Sequence, residues 1–203
     1  TNSISFSDSK HGYIVGDKIM DDIVPKEFGG FAYTTDGGNV WIKKVSGIEF
    51  GFSDVSAINN KAIVIAHPEL IFETSNFGES WDTTNFQITE NGYSAIAFSN
   101  LMNGTIVGAP GLIRRTTDGG KTWFSQHSTV RYPEDTSAII FLRSVSFIDS
   151  LNGWSCGDSG IILHTSDAGK TWVKQYLPKP RTTSVSPEPF GRKTSITFCE
   201  APL

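Results

Sequence analysis

One short signature occurs four times along this chain and constrains its fold more than any other feature. The copies are TTDGGNVW at 34–41, TSNFGESW at 74–81, TTDGGKTW at 116–123 and TSDAGKTW at 165–172. Each reads Ser/Thr-x-Asp-x-Gly-x-x-Trp, with one Asn in place of Asp, and the closing tryptophans lie 40, 42 and 49 residues apart. A repeat of this length makes each polar residue one member of a structural set rather than a lone catalytic candidate.

The residue types of the signature predict a tight hairpin turn. An Asp side chain accepts hydrogen bonds from backbone N–H groups two or three residues further on, and Asn does the same. The Gly supplies a positive φ, and the Trp covers the turn with a large apolar ring. Each turn offers a single carboxylate, which is too few for calcium, so we expect no metal site. The predicted structural residues are Asp36, Asn76, Asp118, Asp167, Trp41, Trp81, Trp123 and Trp172.

Alternating apolar segments surround every signature and predict four short antiparallel strands in each unit. Aromatic residues make up 12% of the chain and there are 20 glycines, which suits short strands joined by glycine turns. Four strands repeated every 40–50 residues indicate an all-β fold, a β-propeller of four-stranded antiparallel blades. We expect a single domain over 1–203, with blades at approximately 1–46, 47–90, 91–130 and 140–177 and an extra strand at 194–200.

Charge and cysteine content exclude several classes of protein. The net charge of −4 gives no electrostatic case for nucleic acid binding. No apolar run is long enough for a membrane-spanning helix. Cys156 and Cys199 lie in strand-like segments, where we expect buried free thiols or, in an oxidising compartment, a disulfide.

The strings SVSFIDSLNGWSCGDSGIILHTSDAGKTW at 144–172 and SAIAFSNLMNGTIVGAPGLIRRTTDGGKTW at 94–123 resemble the BNR or Asp-box repeat family. Within that family they are most similar to the photosystem II stability/assembly factor family and its non-photosynthetic bacterial relatives. The first repeat matches once 18–29 is treated as an insertion. The resemblance implies a non-enzymatic protein-interaction or assembly-factor-like scaffold. Because glycosidases reuse the same blade, the alternative is a glycan-binding or sialidase-like glycoside hydrolase propeller.

The number of blades stays open at this point. TSITFCE at 194–200 looks like the first strand of a fifth unit, since SITF parallels SISF and SVSF. The chain is therefore part of a longer propeller, or a small closed propeller in which 194–200 supplements a blade, or a ring completed by self-association. We expect an extracytoplasmic location, whether secreted, periplasmic or in an organelle lumen.

The candidate partner-binding residues are arginines. Arg114 occupies a position that holds Ala32, Phe72 and Leu163 in the other repeats, so its charge needs a partner or water. It either forms a salt bridge or snorkels at a blade rim, or it belongs to a cationic patch that docks an acidic protein partner. The residues of such a patch are Arg114, Arg115, Arg131 and Arg143. The next position, which Arg115 occupies in the third repeat, is variable and polar across the repeats. This pattern predicts that it is exposed.

Two insertions, 18–29 and 125–142, are further candidate binding loops. Catalytic candidates are weak by comparison. A sialidase site needs three arginines from several blades, yet the first two repeats contain none. No GxSxG motif occurs, and the histidines have no evident partners. We therefore expect no catalytic residue and no cofactor.

Overall fold

The protein is all-β, as the repeats predict. A computed structural model describes residues 2–16, 30–45, 51–66, 70–85, 92–126 and 140–176. These residues form four separate sheets, and each sheet contains four strands paired in chain order and antiparallel. This arrangement confirms the prediction of four-stranded propeller blades.

The strands are short, and every sheet has its third strand directly before the signature turn and its fourth strand directly after it, as predicted. The first sheet contains β1 (Ser3–Phe6), β2 (Gly12–Gly16), β3 (Gly30–Thr34) and β4 (Ile42–Val45). The second contains β5 (Phe52–Ile58), β6 (Lys61–Ala66), β7 (Leu70–Thr74) and β8 (Asp82–Asn85). The third contains β9 (Tyr93–Phe98), β10 (Gly104–Gly108), β11 (Leu112–Thr116) and β12 (Phe124–Ser125). The fourth contains β13 (Leu142–Phe147), β14 (Gly153–Gly157), β15 (Ile162–Thr165) and β16 (Val173–Gln175), with a 3-10 turn at Asp158–Gly160.

Contacts between sheets follow the order of the chain. Strands β1 and β2 pack on β5, β5 and β6 pack on β9, and β9 and β10 pack on β13. Over the described ranges, extensive contact joins only consecutive sheets, and it involves their first two strands. The sheets therefore form an arc of blades that converge at their first strands. The single domain over 1–203 and its blade limits stay a prediction, and 194–200 lies outside the described residues.

Three apolar layers hold the arc together, one between each pair of neighbouring sheets. The first layer joins Tyr13 and Phe31 to Val55 and Phe72, and the other two repeat this pattern further along the chain. The second and third sheets are buried on both faces, since they have a neighbour on each side. This explains why β6 is a continuous apolar run, AIVIA, instead of an alternating one.

Hydrogen bonds between first strands add polar contacts to these layers. The N–H of Ala57 donates to Ser5 Oγ over 3.0 Å, and the N–H of Phe98 donates to Ser56 Oγ over 3.1 Å. The N–H of Ile96 donates to Asp54 Oδ2 over 2.8 Å. A first strand exposes backbone N–H groups along its unpaired edge, and each of these side chains satisfies one of them.

Candidate interaction site

The first signature turn is closed by two side chains that hydrogen-bond to the backbone. Thr34 Oγ1 donates to Asp36 Oδ1 over 2.8 Å and accepts from the N–H of Gly38 over 2.9 Å. Asp36 Oδ1 also accepts from the N–H of Val40 over 3.0 Å. The backbone donor to the Asp side chain is four residues further on, not two or three as expected, because Thr34 takes the nearer N–H group.

The other three turns repeat this geometry. The residues Asn76, Asp118 and Asp167 accept from the backbone N–H four residues on over 3.0, 2.9 and 2.9 Å. Asn76 fits the pattern because its Oδ1 accepts these bonds while its Nδ2 donates to Ser80 Oγ over 2.9 Å. All four polar side chains are therefore engaged in local hydrogen bonds.

The same hydrogen bonds control the acidity of these carboxyl groups. The backbone N–H of Val40 lowers the pKa of Asp36 below its ordinary value. Burial opposes this effect at Asp118, but hydrogen bonds from Thr122 and Thr116 outweigh it and lower the pKa of Asp118 to about 2. A carboxylate of this kind is a poor proton donor or acceptor near neutral pH. In the part of the chain that the structure describes, no three His, Cys, Asp or Glu side chains are grouped to hold a metal ion.

A second family of turns joins the first and second strands of three sheets. Asp8 Oδ1 accepts from the N–H groups of Lys10 and His11 over 2.7 and 2.8 Å, and Asn100 and Asp149 do the same in their own hairpins. These turns were not predicted from the sequence. Their signal is Phe-x-Asp/Asn-x-x-His/Asn-Gly, which occurs at 6–12, 98–104 and 147–153.

Three of the four signature tryptophans, Trp81, Trp123 and Trp172, lie in the layers between sheets. Trp123 is 7% exposed, and its Nε1 donates to the carbonyl oxygen of Gly120 over 2.9 Å. Its ring meets Phe98 edge-on at 6.0 Å, and the Phe6–Trp41 and Phe147–Trp172 pairs are similar. Each of these phenylalanines lies over the Gly of the neighbouring strand, where a Cβ would collide with the ring.

The second sheet departs from this pattern, and a cavity lies beside its signature tryptophan. Ala57 stands where the other sheets have that Phe, by its pairing with Ala62. Trp81 instead packs on Phe31 of the first sheet, with 4.6 Å between ring centroids. A cavity of about 370 Å³ lies beside them, with Phe31, Phe52, Phe72 and Trp81 among its walls. This site depends on packing between two sheets, which no single repeat encodes.

The cavity combines an apolar interior with a polar rim. The side chains of Lys44, Glu79, Ser80 and Thr83 line it and are exposed. Trp81 Nε1 is buried and has no hydrogen-bond partner. A buried N–H without a partner is costly, so an acceptor atom that entered the cavity would gain a hydrogen bond. The arrangement suits an apolar group that carries a nearby carbonyl oxygen.

In the first three sheets, the position before the signature Thr lies between sheets, and the expectation that it is exposed was wrong there. Tyr33 is 9% exposed, and its ring contacts Gly78 of the next turn. Glu73 pairs with Lys61 over 2.6 Å. Lys61 in turn donates to the carbonyl oxygen of Gly119. The residues at this position differ between these three sheets because each one contacts, directly or through Lys61, the signature turn of the next sheet and not solvent.

Arg115 occupies the same position in the third sheet. Its Nε donates to the carbonyl oxygen of Ala168 over 2.7 Å, and its guanidinium also donates to Asn103 Oδ1 over 3.0 Å. Burial lowers the pKa of Arg115, although the carboxylate of Asp167 opposes this. Arg115 therefore joins the third sheet to the signature turn of the fourth.

The other candidate arginines are placed differently. Arg114 is adjacent to Arg115 in β11, so its side chain points to the opposite face of the sheet, where it is half-buried. Arg143 is 57% exposed, pairs with Asp158 over 3.0 Å, and lies 4.5 Å from the centroid of the Phe141 ring. Arg131 lies outside the described residues, as do the insertion at 18–29 and most of 125–142. The structure does not bring Arg114 and Arg115 to one face.

Four sheets of four antiparallel strands, each closed by the same Thr-Asp/Asn-Gly-Trp turn, define a β-propeller of the BNR-repeat type. A model of the family described as photosynthesis system II assembly factor YCF48 matches residues 1–89 and 81–182. The chain therefore belongs to this assembly-factor family, as its sequence resemblance implied. No curated protein matched the chain.

Solved structures of propellers are similar in fold. YCF48 bound to D1 peptide is 16% identical with a TM-score of 0.53, and the match covers 85% of this chain and 79% of that one. YCF48 from Cyanidioschyzon merolae is 19% identical with a TM-score of 0.64, covering 89% of this chain but 57% of that one. A mutant Trypanosoma rangeli sialidase is 12% identical with a TM-score of 0.51, covering 85% and 36%. At these identities the likeness concerns the fold alone.

The described residues contain no helix of the length and apolarity that crossing a membrane requires.

Proposed function

We propose that this chain is a non-catalytic protein-interaction scaffold that acts as an assembly factor. The observation that carries this proposal is the match of the YCF48 assembly-factor family to residues 1–182 in two overlapping parts. The geometry of the signature turns supports the proposal. The polar side chains that recur in every repeat hydrogen-bond within their own turns, which is a structural role and not a catalytic one. The family also supports an extracytoplasmic location.

The cavity between the first and second sheets is the proposed contact site. Its volume of about 370 Å³ accommodates a large apolar side chain, and Phe31 and Trp81 offer aromatic surface to it. We expect a peptide segment of the partner to occupy it, with a main-chain carbonyl that accepts from Trp81 Nε1. One of the similar structures is YCF48 bound to D1 peptide, which supports a peptide as the class of ligand.

An acidic patch on the partner is proposed to meet Arg143. This guanidinium is the exposed member of the described candidates, whereas Arg115 is engaged between sheets. The pair with Asp158 is exposed and therefore weak, so a partner carboxylate can replace it at little cost. Arg114 and Arg131 remain proposed members of the same patch.

Binding of a fluorescent D1 peptide to the purified chain tests the proposal. Trp81→Phe removes the indole N–H and keeps an aromatic ring, and we expect it to weaken binding by about 5- to 10-fold, which is the loss of one hydrogen bond. Trp41→Phe is the matched control, since it makes the same change in the first signature turn. Arg143→Ala should also weaken peptide binding relative to the unsubstituted chain. This loss of affinity should be larger at low salt, because the attraction between Arg143 and the partner is screened less there.

Two results would contradict the proposal. Equal peptide affinity for Trp81→Phe and the unsubstituted chain would remove the cavity as the contact site. Hydrolysis of a fluorogenic sialoside by the purified chain would show that the non-catalytic proposal is wrong and would favour the glycoside hydrolase alternative. Circular dichroism of each variant establishes that the sheets are intact.

A further inference from the structure

One face of the fourth sheet has the residues of an interface between sheets but less burial than its counterparts. We call this the outward face, and it carries Ser144, Ser146, Trp154, Cys156, Ile162 and His164. Register aligns Cys156 with Val15, Ile65 and Val107, which are 1%, 0% and 0% exposed. Those three residues pack against the next sheet, whereas Cys156 is half-buried.

The opposite face of the same sheet behaves as an ordinary interior. Ser155 and Leu163 are both 0% exposed, and Leu163 belongs to the apolar layer shared with the third sheet. Trp154 and His164, which alternate with them, are half-buried and stack with 4.6 Å between ring centroids. They align with Tyr13 and Tyr33, the residues on which the next signature turn packs in the first sheet.

The two serines of the outward face are the most specific signal. Ser146 aligns with Ser5 and Ser56, which each accept a hydrogen bond from a backbone N–H of the next first strand. Ser144 aligns with Asp54, which accepts from the N–H of Ile96 in the next first strand. Ser146 is exposed among the described residues, although its counterparts are half-buried.

We propose that residues 195–198 dock on the outward face as the first strand of a fifth blade. Their sequence, Ser-Ile-Thr-Phe, matches Ser-Ile-Ser-Phe in β1 and Ser-Val-Ser-Phe in β13. The alignment assigns the partners: the N–H of Phe198 donates to Ser146 Oγ, and the N–H of Ile196 donates to Ser144 Oγ. The side chain of Ile196 covers Cys156, as Val145 shares an apolar layer with Val107.

The length of the intervening chain supports this occupant. Residues 126–141 connect the last strand of the third sheet to the first strand of the fourth. Residues 176–194 offer a connection of similar length from β16 to 195. A crossing from the outermost strand to the next first strand spans about three strand spacings, roughly 15 Å, which this segment covers easily.

Amide hydrogen exchange of the full chain, measured by NMR, tests the two assigned bonds. We expect the amides of Ile196 and Phe198 to exchange at least about 100-fold more slowly than in an unstructured peptide. Ser146→Ala should accelerate exchange at Phe198 by about 10-fold, the effect of one lost hydrogen bond. Ser150→Ala is the control, since Ser150 is exposed in the adjacent turn. The amide of Ile106, which lies in the core, reports any change in global stability.

Thiol labelling provides an independent measurement in a Cys199→Ser background. Ile196→Gly should raise the reactivity of Cys156 toward a maleimide by about 10-fold, because the covering side chain is removed. Unprotected amides at 196 and 198 would overturn the proposal. If the same samples sediment as dimers or longer assemblies with slow labelling of Cys156, the outward face is covered by a second copy of the chain instead.

Discussion

Replacing Trp123 with Ala measures how much of the fold depends on packing between sheets. The side chain is 7% exposed and shares an apolar layer with Ile63, Ile65 and Ile106. Removing a buried Trp costs roughly 3–5 kcal/mol through lost transfer energy and the cavity that remains. The edge-on pair with Phe98 lies within this loss, and the lost Nε1 bond adds about 1 kcal/mol. We therefore expect Trp123→Ala to lower the free energy of unfolding by about 4–6 kcal/mol.

Trp41→Ala is the matched control. Trp41 closes the same turn and meets Phe6 with nearly the same ring geometry, at 6.0 Å. It lies on the first sheet, however, where Trp41 is half-buried and Phe6 is 43% exposed. With less surface to lose and no earlier sheet among the described residues to pack against, its removal should cost about half as much or less.

Urea unfolding followed by far-UV circular dichroism measures both variants without relying on tryptophan fluorescence. The difference between them reports the layer between the second and third sheets, because the local turn is the same. Equal losses in the two variants would refute the reasoning. The tryptophans would then act on their own turns, and the contacts between sheets would contribute little.

Further predictions concern the polar groups. The pKa of Asp118 is about 2 in the folded state against an ordinary 3.8, so its stabilisation is present above pH ~4 and lost as the pH falls toward 2. Asp118→Asn should flatten the acid dependence of the unfolding midpoint between those pH values. Asp54→Ala leaves the N–H of Ile96 without its acceptor and should cost about 1–3 kcal/mol in urea unfolding, while Asp54→Ser should recover part of this. Arg115→Met should lower stability by about 1–2 kcal/mol, whereas Arg143→Ala should change it by less than about 0.5 kcal/mol; the reverse order would contradict the placement of Arg115 between sheets.

Much of the fold is predictable from the sequence because each repeat closes its own hairpins. The bonds from Thr34 and to Asp36 join atoms at most four residues apart, so the residue types alone specify them. The turns at Asp8, Asn100 and Asp149 are equally local, and their repeated Phe-x-Asp/Asn motif is enough to predict them. The family resemblance rested on these same local strings.

The candidate site was not predictable in this way. Tyr33 and Arg115 look like exposed variable positions in the sequence, yet both contact the signature turn of the following sheet. The cavity beside Trp81 is lined by Phe31 from the first sheet and by Phe72 from the second, and no window of one repeat contains both. Sequence comparison identified Arg114 as unusual but gave no information about the face on which it lies.

The sequence by itself determined the four signature turns, because their hydrogen bonds join residues at most four positions apart. It also determined the strands and the membership of an assembly-factor family, because both follow from residue types that repeat along the chain. The tertiary structure alone decided which face of each sheet meets a neighbour. That choice places Lys61 and Arg115 between sheets, leaves Arg143 exposed, and leaves the outward face of the fourth sheet less covered than its counterparts. The physical reason is that packing between blades joins residues about 40–50 positions apart, and its energy depends on surfaces that exist only after each hairpin has formed.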